Sequence, residues 1–212
     1  MAAEAFVFDA YGTLYDVHSV VARCESFWPG KGTQLSQLWR AKQLEYTWQR
    51  SLMRRYEPFS KVTRAALSYA CDALRLQLAP PQIDALMQQY TRLSLYPDAR
   101  AALSRLKAKK AILSNGSPDM LLPLVEHSAL DFDAVISVDE VKVFKPAPEV
   151  YELAVRTLQT RDIAFVSSNC WDALGAKSYG FTVYWVKRVA APLDRLGFEP
   201  DAVLTSLDEI LQ

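Results

Sequence analysis

The chain has 212 residues, half of them hydrophobic, and its 24 lysines and arginines are matched by 24 aspartates and glutamates. That length holds one full core plus a smaller accessory unit, and the composition excludes a disordered or fibrous protein. The zero net charge excludes the basic footprint of a nucleic-acid binder and leaves a small molecule as the expected partner.

The first residues lack a basic stretch, and their apolar run stops at Asp9, so no signal peptide is expected. No apolar run approaches the ~20 residues of a membrane span, which predicts a cytoplasmic protein with no membrane partner. Ala5 to Phe8 reads as a buried strand whose carboxyl end opens into the tight loop Tyr11-Gly12-Thr13. Residues 16–94 contain almost nothing that reads as a strand. There, Leu35, Leu38, Trp39, Tyr46, Leu52, Met53 and Tyr56 recur at near-helical spacing, predicting an amphipathic helix from Leu35 to Tyr56. Pro58-Phe59 and Pro80-Pro81 punctuate two further helices, the last from Gln82 to Leu93. The chain is expected to return to the core at Tyr96-Pro97.

From there, strand and helix patterns alternate. Helices are predicted at Asp98–Lys107, Asp119–His127, Glu149–Leu158 and Asp172–Tyr179. The strands Lys109–Leu113, Ala134–Ile136 and Ile163–Val166 each run into polar groups: Ser114-Asn115-Gly116-Ser117-Pro118, Asp139, and Ser167-Ser168-Asn169. This alternation predicts an α/β protein, a Rossmann-like doubly wound parallel sheet with an inserted helical cap domain. The core, catalytic domain takes residues 1–15 and 95–212 and the cap residues 16–94. Ligands of such sheets bind outside the carboxyl ends of the strands, where Asp9, Ser114, Asn115, Ser167, Asn169 and Asp172 fall. Cys24, Cys71 and Cys170 are odd in number and lack CxxC spacing, which argues against a disulfide framework and a zinc site.

Asp9-Ala10-Tyr11-Gly12-Thr13, Ser114-Asn115-Gly116, Lys145-Pro146 and Ser167-Ser168-Asn169-Cys170-Trp171-Asp172 stand in the order of the four signature loops of the haloacid dehalogenase superfamily. The chain resembles the L-2-haloacid dehalogenase branch of that superfamily along its whole length. The segment Leu38-Trp39-Arg40 to Gln43-Leu44-Glu45-Tyr46 is similar to that branch's substrate-facing helix. Magnesium phosphatases of the superfamily carry a second acid where this chain has Tyr11, and a Gly-Asp pair where it has Ser167-Ser168. The resemblance therefore implies hydrolysis of L-2-haloacids without metal or other cofactor.

The mechanism it implies has Asp9 attack C2 from the face opposite the halogen, giving an ester with inversion. Water then opens that ester to release a D-2-hydroxy acid. Lys145 is implied as the compensating charge beside Asp9, and Ser114, with backbone N–H groups of the first loop, as the clamp on the substrate carboxylate. Arg40 and Asn115 are implied as the halide cradle. Asp172, with Ser167 and Asn169 beside it, handles the hydrolytic water. Thr13 supports the nucleophile loop, and Tyr151 lies near Lys145. Tyr11, Leu44, Phe59 and Trp171 form an apolar wall, whereas His18 and His127 match no motif position. The partners implied are a small 2-haloacid, the halide product and a second copy in a homodimer through the cap. A phosphatase with atypical metal binding is the alternative enzyme, and a non-catalytic binder of small acids the alternative outside enzymes.

Overall fold

A computed structural model describes residues 3–211. Four consecutive apolar residues form β1 (Ala5–Phe8), buried along its whole length, as expected of a strand covered on both faces of a parallel sheet. A two-residue strand β2 (Tyr15–Asp16) then leads into the helices α1 (Val21–Phe27), α2 (Gly32–Leu52), α3 (Phe59–Ala73) and α4 (Pro80–Gln89). The chain comes back through β3 (Ser94–Leu95), which pairs antiparallel with β2 so that Tyr15 faces Leu95 and Asp16 faces Ser94. The remaining strands and α-helices are α5 (Ala99–Arg105), β4 (Lys109–Ser114), α6 (Pro118–Ser128), β5 (Ala134–Ser137), α7 (Pro148–Leu158), β6 (Ile163–Ser167), α8 (Cys170–Tyr179), β7 (Thr182–Val186) and β8 (Ala202–Leu204).

The main sheet is parallel, in the order β5-β4-β1-β6-β7-β8, with β1 at its centre. Phe8 lies level with Ile112 on one side and Val166 on the other. Asp9 therefore emerges one residue past the last rung, and its backbone N–H still donates to Val166 O at 2.9 Å. The strand order reverses at β1, which makes this edge the place where an open α/β sheet leaves a crevice. No helix among the described residues is long and apolar enough to cross a membrane.

Two helices, α2 and α4, end four residues before the pattern does. The helix α2 stops at Leu52 rather than Tyr56, because Arg54 turns left-handed (φ 54°). There the Arg55 and Arg54 N–H groups close back on Arg50 O and Ser51 O at 2.9 and 3.1 Å, a Schellman ending. Tyr56 is thereby freed from the helix to pack its ring 4.9 Å from Phe144. The helix α4 ends at Gln89 rather than Leu93, where the Thr91 hydroxyl donates to Gln88 O at 2.8 Å and competes with helix continuation. The sequence pattern also stopped at Tyr179 and missed β7 and β8. The short ribbon β2–β3, too, carries no periodicity of its own.

Gly175, on α8, fixes how closely that helix approaches the site. A methyl group there would stand 2.5 Å from Pro146 Cβ and 2.6 Å from Tyr151 Oη. Overpacking of this kind costs roughly 1–3 kcal/mol. We expect Gly175→Ala to lower the thermal midpoint by several degrees, at ~2–4 °C per kcal/mol for a chain of this size, as read by calorimetry. An unchanged midpoint would mean that α8 shifts freely.

Candidate active site

Asp9 sits at the end of β1 with little of its side chain open to solvent. Its Oδ2 accepts hydrogen bonds from Thr13 Oγ1 at 2.9 Å and Asn169 Nδ2 at 2.8 Å, and its Oδ1 accepts from Lys145 Nζ at 3.1 Å. The loop that turns Thr13 back onto Asp9 needs Gly12 in the left-handed region (φ 95°), a conformation that glycine adopts without strain. Asn169 also donates to Tyr11 O at 3.0 Å. Its amide thus serves Asp9 and the Asp9 loop, while its carbonyl accepts from Asp172 N at 3.0 Å.

Lys145 is fully buried, and the same ammonium donates to Asp172 Oδ2 at 2.9 Å. Asp172 is buried too; its Oδ2 also accepts from Ser167 Oγ at 2.9 Å, and its Oδ1 from Tyr151 Oη at 2.9 Å. One cation thus holds two carboxylates. Burial alone would lower the Lys145 pKa, but the facing charges of Asp172 and Asp9 outweigh it and hold the ammonium above its ordinary value. Asp172 moves up from the ordinary carboxylate range because of burial and the Asp9 charge, although Lys145 and Tyr151 pull the other way. Burial, then the Asp172 charge, raises the Tyr151 phenol and keeps it a donor.

Facing this group from the cap is Arg40, half-buried on α2, whose Nη2 reaches across to donate to Tyr11 O at 3.2 Å. Tyr11 packs its ring 5.6 Å from Phe59 and 6.2 Å from Tyr90, and its hydroxyl is buried without a partner among the described residues. That ring lies against Gly116, where a Cβ would be 2.8 Å from Tyr11 Cε2 and 3.3 Å from Ser114 Oγ. Burial raises the Tyr11 phenol far above its ordinary value. Ser114 is buried and accepts from Gly116 N at 3.0 Å, and Asn115 uses its Oδ1 to hold Lys145 N at 3.0 Å. Leu44 is half-buried on α2, and Trp171 stands edge-on to Trp48 at 5.5 Å. Neither Leu44 nor Trp171 hydrogen-bonds through its side chain to the Asp9 group among the described residues. His18 pairs with Ser36 inside the cap and His127 is exposed on α6, so both lie outside the cluster.

Three contributors were given no individual role by the sequence. Gln43 accepts from Arg40 Nη1 at 2.6 Å. Arg188, in the loop after β7, donates to Thr13 O at 2.9 Å and pairs with Asp98 through two bonds of 2.7 and 2.9 Å. Phe144 fills the space between Tyr56 and Phe59. Arg188 and Phe144 meet their partners on other elements, which no spacing rule shows; Gln43 is one turn from Arg40 on the same helix, and only its tie to Thr63 on α3 is long-range.

Residues 3–180 match the haloacid dehalogenase-like hydrolase family. The chain belongs to that family. It is 50% identical to (S)-2-haloacid dehalogenase H-109 of Pseudomonas putida, over 98% of this chain and 96% of that one. It is 43% identical to haloacetate dehalogenase H-2 of Moraxella sp. (strain B), over 98% and 96%. It also superposes on the L-2-haloacid dehalogenase of Xanthobacter autotrophicus with chloropropionic acid covalently bound, with TM-score 0.93, 42% identity and coverage of 99% and 97%.

The wider superfamily's magnesium does not fit these residues. That cation demands octahedral oxygen ligation, and here every oxygen of Asp9 and Asp172 already accepts from Lys145, Thr13, Asn169, Ser167 or Tyr151. Ser168 offers no carboxylate and spends its hydroxyl on Gly12 O at 2.6 Å.

The upward displacement of Asp172 is measurable. In a carbon-13 titration of labelled aspartates, the Asp172 carboxyl should protonate above the ordinary value of about 3.9. Tyr151→Phe, which removes a hydrogen bond to the charged form, should move it further up. A downward move in the variant would contradict the assignment of that bond.

Proposed function

We propose that this protein hydrolyses short-chain L-2-haloalkanoic acids to D-2-hydroxy acids through an ester on Asp9. The observation that carries the reading is the buried Asp9 carboxylate, oriented by Thr13 and Asn169 and charge-balanced by Lys145, in a chain close to a dehalogenase that holds a covalent chloropropionic acid.

An oxygen of Asp9 displaces the halogen from C2 on the opposite face, so a C–O bond forms as the C–halogen bond breaks and the carbon inverts. The halide leaves towards Arg40 and the Asn115 amide, whose NH2 has no partner among the described residues; such groups stabilise a developing anion. The substrate carboxylate meets Ser114 and the unpartnered Tyr11 hydroxyl, a buried donor that needs an acceptor. Water then attacks the Asp9 carbonyl carbon, Asp172 takes its proton, and the hydroxy acid departs with Asp9 restored. Ser167 and Tyr151 hold Asp172 in place for that step. Phe59, Leu44 and Trp171 give the apolar wall around the alkyl group.

The phosphatase alternative is not favoured, because it lacks both a second acid at Tyr11 and the oxygen ligands discussed above. The same reading divides the chain into a core of 1–15 and 95–212 and a cap of 16–94, which the β2–β3 ribbon supports. Three free thiols support a reducing cytoplasm, and Leu52 and Met53, exposed on the cap, support a homodimer formed there.

Oxygen accounting tests the mechanism. With enzyme in excess over L-2-chloropropionate in oxygen-18 water, the first turnover should give unlabelled D-lactate and a heavier peptide around Asp9. Labelled lactate with an unlabelled peptide would remove Asp9 from the nucleophile role. Excess EDTA should leave halide release unchanged, and a strict magnesium requirement would reverse the ligand argument.

A further inference from the structure

Gln43 is the one fully buried amide of α2, three residues from Arg40 and on the same side of the helix. Both ends of its side chain are engaged. Oε1 accepts from Arg40 Nη1 at 2.6 Å, and Nε2 donates to Thr63 Oγ1 at 2.7 Å on the neighbouring α3. Thr63 is itself buried, and its carbonyl accepts from Trp39 Nε1 at 2.8 Å, which fastens the same point of α3 to α2. The amide can face only one way, since a guanidinium has donors and no acceptor.

A buried amide between two helices is costly unless it is fully paired, and an apolar residue of the same volume would pack there without that demand. We infer that Gln43 is a positioning residue that holds the Arg40 guanidinium where the leaving halide needs it. The inference rests on the proposed halide role of Arg40. Gln43 fixes one nitrogen from inside the cap, and Tyr11 O fixes the other from the core loop. Two fixed points set the plane of the guanidinium. Chemistry also explains why the acceptor is an amide: a carboxylate at this position would neutralise the guanidinium, whereas a neutral oxygen orients it and leaves its charge for the halide.

The test uses the full chain with L-2-chloropropionate and L-2-bromopropionate, with chloride as a product inhibitor. Gln43→Glu keeps the shape and the acceptor but adds a negative charge; Gln43→Met keeps the volume and removes both bonds. Each should lower kcat about tenfold or more, the scale of a hydrogen bond to a charged group, and weaken chloride inhibition by a similar factor. The loss should be larger for the chloride substrate, the poorer leaving group. In an Arg40→Ala background, Gln43→Met should have no further effect. If Arg40→Ala lowers kcat while both Gln43 variants keep kcat and chloride inhibition within about twofold, Gln43 does not position the guanidinium. Additive losses in the double variant would also overturn the inference, because they mean that Gln43 does not act through Arg40. If Arg40→Ala itself leaves kcat and chloride inhibition unchanged, the halide role of Arg40 is what fails, and the inference falls with it.

Discussion

Everything at the carboxyl edge of the sheet is arranged around one buried ammonium shared by two carboxylates. Lys145 reaches Asp9 and Asp172 at 3.1 and 2.9 Å with almost no exposure to water. Burying three charges is expensive, and the Coulombic gain offsets that cost only when the remaining lone pairs and protons are also satisfied. The surroundings meet this condition. Hydroxyls of Thr13, Ser167 and Tyr151 and the amide of Asn169 cover the outward oxygens, and the Phe165 ring lies 5.0 Å from the ammonium. Those groups come from the loop after β1, from β6, α7 and the loop before α8. The register of the sheet and the electrostatics of the site are therefore a single constraint.

That cluster carries one surplus negative charge, and an anionic substrate adds another. Among the described residues Lys145 is the one core cation bonded to Asp9, Arg188 being paired with Asp98, and on the other side of the crevice α2 supplies Arg40. The two parts of the molecule are tied at several points around it: Tyr56 Oη donates to Asp139 at 2.8 Å, Phe144 N to Ser51 Oγ at 3.1 Å, and Ser60 N to Ser117 Oγ at 3.1 Å. In the proposed reaction the nucleophile belongs to the sheet, while the halide is met by Arg40 from the helices above it and by Asn115 from the core. Closing one over the other removes water and strengthens every charge interaction between them.

The sequence announced what was local. The apolar run at Ala5–Phe8, the Gly12 turn and the polar ends of β4 and β6 follow from patterns of two or three residues, and they located Asp9, Ser114 and Ser167 at one edge. Boundaries set by a single backbone conformation escaped: α2 ends because Arg54 turns left-handed, which no periodicity announces. The strand β7 was legible in principle, since Thr182-Val183-Tyr184-Trp185-Val186 is a run of β-branched and aromatic residues. Roles that depend on long-range pairing escaped as well. The Asn169 amide ties Asp9 to the Tyr11 carbonyl across the sheet, and Arg188 supports Thr13 from 175 positions away in the chain.

The ribbon of β2 and β3 has a consequence for how such a molecule could diversify. The helical excursion leaves at Asp16 and returns at Ser94, residues that sit opposite each other in an antiparallel pair, about 5 Å apart at their α-carbons. A gap that small is also spanned by a two-residue hairpin turn. Insertions of almost any length can therefore be spliced in, lengthened or exchanged at this junction without re-routing the strands beneath. Exchange of the helices between these two strands would leave Asp9 and the sheet beneath it in place.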